Sequence, residues 1–268
     1  MRSIKELMDL SGRVALVTGG AGHVGRAVCE ALAELGAAIA VLDIEEGACA
    51  NTAKHVRNKF GVDSIPVVAD LANGENLCNV PERVLGSFDR IDILVNNAAL
   101  VGTTDLKGWT VPFLEQLPST WRAAFEVNLT APFILTQACT EALRASGNGS
   151  VVNVGSTHGI VGVDQRIREG TPMGTPAAAY AASKGGLIQF TRYLATILAP
   201  EVRANSVSFG GIERGQPALF RQRYMERTPL GRLGSEEDTK GAFAYLTTDL
   251  SAYVTGHNLI VDGGWLAW

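Results

Sequence analysis

Short β-branched apolar runs alternate along the chain with longer stretches in which apolar residues recur at helical spacing. The runs are RVALVT (13–18), AIAVLD (38–43), SIPVVA (64–69), IDILVN (91–96), SVVNVG (150–155), VRANSVS (202–208) and NLIVD (258–262). Because they are continuously apolar rather than alternating, both of their faces should be covered, and the helices between them make a parallel sheet with right-handed crossovers. The pattern predicts a single α/β domain over residues 1–268, a doubly wound parallel seven-stranded sheet with helices on both faces. The stretches 118–146 and 176–199 are the strongest helices. Both are apolar over more of their circumference than a one-sided surface helix requires, which points to contact with a partner subunit. No internal repeat, linker or low-complexity tract interrupts the pattern.

Composition narrows the function classes. With 268 residues, 46% hydrophobic and 19% charged, the chain is long enough to bury a full core without disulfide or metal staples, and disorder is excluded. The net charge of −4 comes from 23 Lys and Arg against 27 Asp and Glu with no like-charge block, so nucleic acid is not an expected partner. No apolar run reaches the ~18–20 residues of a membrane span, and MRSIKELMDLSG lacks a signal-peptide core. The expectation is a cytoplasmic protein with no membrane partner. Cys29, Cys49, Cys78 and Cys139 are widely separated and lack metal-ligand spacing. They read as reduced, buried thiols, and no metal is expected.

The first strand runs into Gly19-Gly20-Ala21-Gly22-His23-Val24-Gly25 and then a helix. A glycine-rich turn in that position lets backbone N–H groups approach a pyrophosphate at the positive helix end. Asp43 ends the second strand, where a carboxylate accepts hydrogen bonds from an adenosine ribose and repels a 2′-phosphate; this favours NAD over NADP. Asp70 ends the third strand, placed either to meet the adenine or to cap the next helix. Asn96-Asn97-Ala98-Ala99 follows the fourth strand, at the edge where open α/β sheets hold cofactors, and its amides suit both loop-locking and binding.

Tyr180 and Lys184 are four residues apart in AAAYAASKGG, so a helix puts them on one face. A phenol with a pKa of about 10 is a poor base at neutral pH, and an adjacent ammonium favours the phenolate. Ser156 ends the fifth strand, where its hydroxyl can bind the same substrate oxygen, while Asn128 is a polar amide inside an apolar helix and needs a partner. Each motif alone is weak. Their joint occurrence, in this order, carries the argument.

With these residues placed, the sequence resembles the short-chain dehydrogenase/reductase family over essentially its whole length. TGGAGHVG (18–25), Asp70-Leu71, NNAA (96–99), Asn128-Leu129, Ser156, YAASK (180–184) and TGHNLIVDGG (255–264) match the family's motifs in order. The resemblance implies a Rossmann-like sheet and a homotetramer or homodimer. It implies Tyr180 as acid/base, Lys184 on the nicotinamide ribose and lowering the tyrosine pKa, Ser156 on the substrate oxygen and Asn128 holding a water in the proton relay. Expected cofactor contacts are Gly19, Gly22, His23, Val24, Gly25, Asp43, Asp70, Leu71, Asn97, Ala98, Tyr180, Lys184, and Gly210, Gly211 and Ile212 after the sixth strand.

Three departures touch cofactor geometry. His23 replaces the family's middle glycine, where a β-carbon would crowd the pyrophosphate; Phe209 replaces a proline; Arg214 falls where many members carry a threonine. A fourth is an insertion: Ser156 and Tyr180 lie 24 residues apart, wider than usual in the family, so the segment near 162–175 is extra and lies on the substrate side. It brings Asp164, Arg166, Arg168 and Glu169. Guanidinium forks suit carboxylate or phosphate, and Ser156, Tyr180, His158, Arg166 and Arg214 are the expected substrate contacts. RIREGTPM with the downstream GGI and TPLGR is similar to members that modify flagellin or surface sugars. Trp265 and Trp268 are expected to pack over the cleft, against another subunit, or within their own chain.

The function expected is an NAD(H)-dependent oxidoreductase moving hydride between nicotinamide and a secondary alcohol or ketone, the substrate being a sugar or another polar or anionic hydroxy compound. Two alternatives stand beside it. One is a catalytically weak NAD-binding scaffold, motivated by His23, Phe209 and Arg214; the other is a sugar epimerase or dehydratase that recycles its NAD.

Overall fold

The computed structural model describes residues 1–102 and 104–268. Its seven strands are β1 (Val14–Thr18), β2 (Ala38–Asp43), β3 (Ser64–Val68), β4 (Ile93–Asn96), β5 (Gly149–Val154), β6 (Val202–Phe209) and β7 (Asn258–Val261). They form one sheet in the order β3-β2-β1-β4-β5-β6-β7, and every pairing is parallel. Each run singled out in the sequence is a strand. The fourth is shorter than expected, because Asp92 turns its carboxylate to the Val14 N–H and to Arg90 just before pairing begins.

Among the described residues ten α-helices accompany the sheet: α1 (Ile4–Met8), α2 (His23–Glu34), α3 (Glu46–Phe60), α4 (Gly74–Leu77), α5 (Val80–Phe88), α6 (Pro118–Phe125), α7 (Ala131–Ala145), α8 (Ala178–Ile197), α9 (Ala218–Glu226) and α10 (Glu237–Thr247). Side chains alternate across a strand, and β1 shows how this builds two cores. Ala15 and Val17 pack with Val28 and Leu32 of α2, Val56 of α3 and Phe243 of α10. Val14 and Leu16 face the opposite way, with Val84 of α5, Leu135 and Leu143 of α7 and Leu194 of α8. Both faces of the sheet are thereby covered, as continuous apolar strands require.

The helical stretch expected over 118–146 is present, but α6 passes into α7 through a wide π turn, Glu126–Thr130. Pro132 has no N–H, so an α-helical bond to the Asn128 carbonyl is impossible there. At the outer edge of the sheet β3 carries Pro66, and the Ser64 and Val68 carbonyls accept from the Arg57 and Arg83 guanidinium groups. Proline is tolerated at such an edge and not at the centre of a sheet.

Strand order reverses between β1 and β4, and the crevice beyond the carboxyl ends at such a switch point is where open α/β sheets bind ligands. Among the described residues no helix is long and apolar enough to cross a membrane, and no group of three or more His, Cys, Asp or Glu is arranged to hold a metal ion. The cysteines are all free, but Cys78 is exposed, against the expectation of burial: it lies just past α4, off the packed face.

Candidate active site

A cleft of about 920 Å³ opens at the carboxyl edge of the sheet, lined at one end by the turn after β1 and at the other by residues after β5 and β6. The β1 turn is built by close approach. Gly19 has φ +61°, and a β-carbon on Gly25 would lie 1.9 Å from the Gly19 carbonyl oxygen, so only glycine lets α2 start this near the strand. Gly22 is the N-cap of α2 without a side-chain cap, leaving the helix-terminal N–H groups uncapped at the cleft. The Thr18 hydroxyl accepts the N–H groups of Asn97 and Ala98, and the Asn97 amide donates to the carbonyls of Thr18 (3.0 Å) and Gly19 (3.2 Å). Asn97 is therefore a lock on the glycine turn as well as part of the cleft wall.

His23 does not crowd this cradle. It is the first residue of α2, its side chain is 70% exposed, and its Nδ1 faces Glu236 Oε1 at 3.7 Å. Asp43 accepts from the Ala21 N–H (3.1 Å) and from the Ile44 N–H (2.8 Å), which holds the carboxylate between β2 and the glycine turn. Asp70 is exposed at the cleft and accepts from the Ala72 N–H (2.9 Å) rather than capping α4, whose N-cap is Asn73. Leu71 and Val24 complete this end of the wall. An uncapped helix start, a glycine cradle and an acid at the end of β2 together fit an adenosine pyrophosphate.

At the other end α8 carries Tyr180 and Lys184 on one face, with Lys184 Nζ 5.9 Å from the phenol ring centre. Lys184 is 1% exposed, and its ammonium donates to the Val154 carbonyl at the end of β5 (2.6 Å). Burial pushes its pKa down to about 8. Gly159 makes the docking possible: a β-carbon there would lie 2.7 Å from the Lys184 carbonyl carbon. Ser156 lies two residues past β5; its Oγ accepts the His158 N–H (3.1 Å), which leaves its own O–H as a donor toward Tyr180 and the cleft.

The sequence expectation that Lys184 lowers the Tyr180 pKa is not met. Enclosure of the phenol raises it, and the opposing influences are the Ser156 hydroxyl and the Arg214 charge. Asn128 is held by its side chain. Its side chain is fully buried away from the cleft wall, accepting from Leu100 N (2.8 Å) and donating to Ser183 Oγ (3.1 Å), so it braces α8 against the segment after β4.

Gly210, Gly211 and Ile212 line the cleft, and a β-carbon on Gly211 would strike the Tyr224 ring, whose hydroxyl accepts the Gly211 N–H. Tyr224 in turn stacks on Trp265 at 4.1 Å. Trp265 thus packs within its own chain at the cleft, whereas Trp268 is 77% exposed. Phe209 is buried against Phe243 and needs no proline to fix it. His23 keeps its place in the cleft lining with an exposed ring, and Phe209 is anchored in the core. Arg214 does line the cleft, with its Nε 3.5 Å from Glu236 Oε1.

The insertion corrects one substrate contact. Arg166 points away from the cleft, 73% exposed and paired through both Nε and Nη2 with Asp164. Arg168, two residues on, lines the cleft instead. A one-turn 3-10 segment, Gln165–Ile167, buries Ile167 against Phe220 and Tyr224 and reverses which arginine faces inward. Nothing in the local pattern distinguishes the two; the signal lies in Phe220, far along the chain.

His158 stands edge-on to Tyr180, ring centres 6.1 Å apart, and burial together with the nearby Arg168 charge pushes its pKa down to about 4. Unfolded histidine titrates near 6.5. The folded state thus binds this proton less tightly, and its contribution to stability is complete above about pH 6.5 and lost as pH falls toward 4. The full window corresponds to about 3 kcal/mol. Urea unfolding of His158→Gln near pH 7 and near pH 5 should show a smaller acid loss than wild type, by about 1–2 kcal/mol; equal losses would refute the buried neutral imidazole.

The sequence model of the family described as enoyl-(acyl carrier protein) reductase matches residues 19–266. The chain is 34% identical over 262 residues to the 3-oxoacyl-(acyl-carrier-protein) reductase of Aquifex aeolicus, covering 96% of this chain and 98% of that one. It is 33% identical over 260 residues to the cis-4-hydroxycyclohexanecarboxylate dehydrogenase of Sinomonas cyclohexanicum, covering 95% and 97%. Among solved structures, a gluconate 5-dehydrogenase from Burkholderia cenocepacia in complex with NADP and tartrate superimposes with a TM-score of 0.88 at 28% identity, over 99% of this chain and 100% of that one. Sheet order, cleft and matches together show that the chain belongs to the short-chain dehydrogenase/reductase family, as a nicotinamide-dependent oxidoreductase.

Proposed function

We propose that the protein interconverts a secondary alcohol and a ketone, using NAD(H), with Tyr180 as the acid/base group. The observation that carries this reading is the convergence of Tyr180, Ser156 and Lys184 on the cleft that also contains the glycine cradle. When bound, nicotinamide supplies the carbon that gives or takes hydride. Ser156 donates its free hydrogen to the substrate oxygen. In reduction Tyr180 gives its proton to that oxygen, and its raised pKa keeps it protonated for the task; in oxidation the phenolate takes the hydroxyl proton back. Lys184, anchored on Val154, would hold the nicotinamide ribose with its remaining donors. Asn128 positions α8, and its carbonyl, denied a donor at Pro132, is available to the water of the proton path.

A polar hydroxy compound is the substrate class we favour, a reading that the names of the gluconate 5-dehydrogenase and the hydroxycyclohexanecarboxylate dehydrogenase support. Tyr180→Phe should bind dinucleotide as wild type does and lose about 10²–10⁴-fold in kcat, the scale of general acid–base assistance. Stopped-flow or steady-state absorbance of the reduced nicotinamide reads this directly, and near-native turnover would end the assignment.

The preference for NAD over NADP rests on this chain's own charges, since the gluconate 5-dehydrogenase was solved with NADP. Asp43 and Asp70 stand at the adenosine end, while the lysine and arginines lining the cleft among the described residues are Lys184, Arg168 and Arg214, at the opposite end. NAD should bind ~10-fold tighter than NADP, the scale of one exposed like-charge contact, and Asp43→Ala should narrow the ratio. Fluorescence titration decides it; tighter NADP binding by wild type sinks the preference.

A homotetramer is part of the same reading. Trp121 on α6, Phe133 on α7 and Tyr193 on α8 are 42%, 47% and 58% exposed, an aromatic surface on the two helical stretches expected to meet a partner. Exposed apolar patches of this kind mark association surfaces. Light scattering should return the mass of four chains, and a single-chain mass would refute assembly.

A further inference from the structure

The inserted segment is firmly seated. Ile167 is buried with Phe220, Tyr224 and Leu233, Asp164 pairs with Arg227 as well as Arg166, and Arg223 donates to the Arg166 carbonyl. At its far end Gly174 lies so close to Thr110 that a β-carbon would meet the Thr110 carbonyl oxygen at 2.0 Å. Within this frame Arg168 is fixed at two points: its Nη1 donates to the Gly174 carbonyl (3.0 Å), and its guanidinium lies over the Phe220 ring at 5.5 Å. The Nε is buried and has no partner, and among the described residues neither Nε nor Nη2 reaches a protein acceptor. No carboxylate pairs with it, although Arg166, Arg214, Arg221 and Arg227 around the same segment all have one. Arg168 is half-buried, and a partly desolvated cation without a counter-charge in a ligand cleft is suited to an anion from outside the chain.

The free edge of the group fixes what kind. With Nη1 used and Nε enclosed, Nη2 is the donor left to meet a ligand, and a guanidinium N–H forms a charge-assisted bond to a carboxylate oxygen. The wall next to it, Phe220, Met173, Ile167, Trp265 and Pro172, is apolar, and the second arginine at this end of the cleft, Arg214, already faces Glu236. One cation in an otherwise apolar wall balances a monoanion and leaves a phosphate dianion with a buried excess charge. The position relative to the reacting group follows from His158, which stands within range of the Arg168 charge and is edge-on to Tyr180.

We propose that Arg168 is the specificity residue of this site and that the substrate is a hydroxy or keto acid, its carboxylate on the Arg168 guanidinium through Nη2 and its alcohol or ketone carbon at Tyr180 and Ser156. This rests on the alcohol–ketone reading of the cleft given above. Arg166, the more exposed arginine of the same turn, takes no part.

The test measures binding and chemistry separately. Calorimetric titrations in saturating NADH would compare 3-hydroxybutyrate, 4-hydroxypentanoate and 5-hydroxyhexanoate with their primary amides, and with sn-glycerol 3-phosphate, on wild type, Arg168→Gln, Arg168→Lys and Arg166→Gln. The best acid should bind wild type about 10- to 100-fold more tightly than its amide, the range of a charge-assisted pair. Arg168→Gln should abolish that ratio while leaving NADH affinity unchanged, Arg168→Lys should restore part of it, and Arg166→Gln should leave it intact. A purely structural role for Arg168 would weaken acid and amide alike and preserve the ratio. Equal binding of acid and amide by wild type, a ratio that survives in Arg168→Gln, or stronger binding of the phosphate than of every acid would overturn the proposal. Hydride transfer, followed by nicotinamide absorbance with the same compounds and NAD, tests the underlying reading: acids that bind through Arg168 without turnover would leave the carboxylate site standing and remove the dehydrogenase assignment.

Discussion

The seating of one ammonium on one carbonyl organises the chemical end of this molecule. Lys184 is almost wholly enclosed, and Val154 at the tip of β5 is its acceptor. An amine in that position cannot be solvated, so it holds α8 at a fixed height against the sheet, and Tyr180, one helical turn earlier, inherits its place from that contact. Gly159 removes the side chain that would otherwise wedge the turn after Ser156 away from α8. The Asn96, Asn153 and Thr191 side chains join β4, β5 and α8 by hydrogen bonds beneath the same floor. The floor beneath Tyr180 is thus braced from three elements, as acid–base assistance would require of a group that must be within hydrogen-bond reach.

Charge is distributed along the cleft in opposite senses. Asp43 and Asp70 stand at the end built on β2 and β3, while Arg168, Arg214 and Lys184 stand at the end built on β5, β6 and the insertion. Glu236 connects the two, since its Oε1 faces both His23 at the start of α2 and Arg214 in the loop after β6. Two of the family departures noted in the sequence are therefore one structural feature, a shared carboxylate between the cofactor turn and the substrate loop.

The fold was legible because strand burial leaves a signature that needs no tertiary information: seven continuous apolar runs became seven strands, even SIPVVA with its proline, which survives by lying at an edge. Tyr180, Lys184, Ser156 and the glycine turn were legible for a related reason, since spacing on a helix or at a strand end dictates their positions. What escaped the sequence depended on contacts between distant segments. The choice between Arg166 and Arg168 is made by Phe220 and Gly174. The direction of the Tyr180 shift is set by enclosure, which composition does not reveal.

The finish of β3 bears on how copies of this chain can join. Its outward carbonyls at Ser64 and Val68 are occupied by arginines and Pro66 offers no N–H, so that margin is closed to another strand. Continuation of the sheet into a neighbouring molecule is left to β7 at the opposite margin. With a single usable margin, strand-to-strand joining pairs two copies about a two-fold axis and then stops, since neither has a second margin to offer. The same few side chains that finish the nucleotide half of the sheet thereby forbid an endless ribbon.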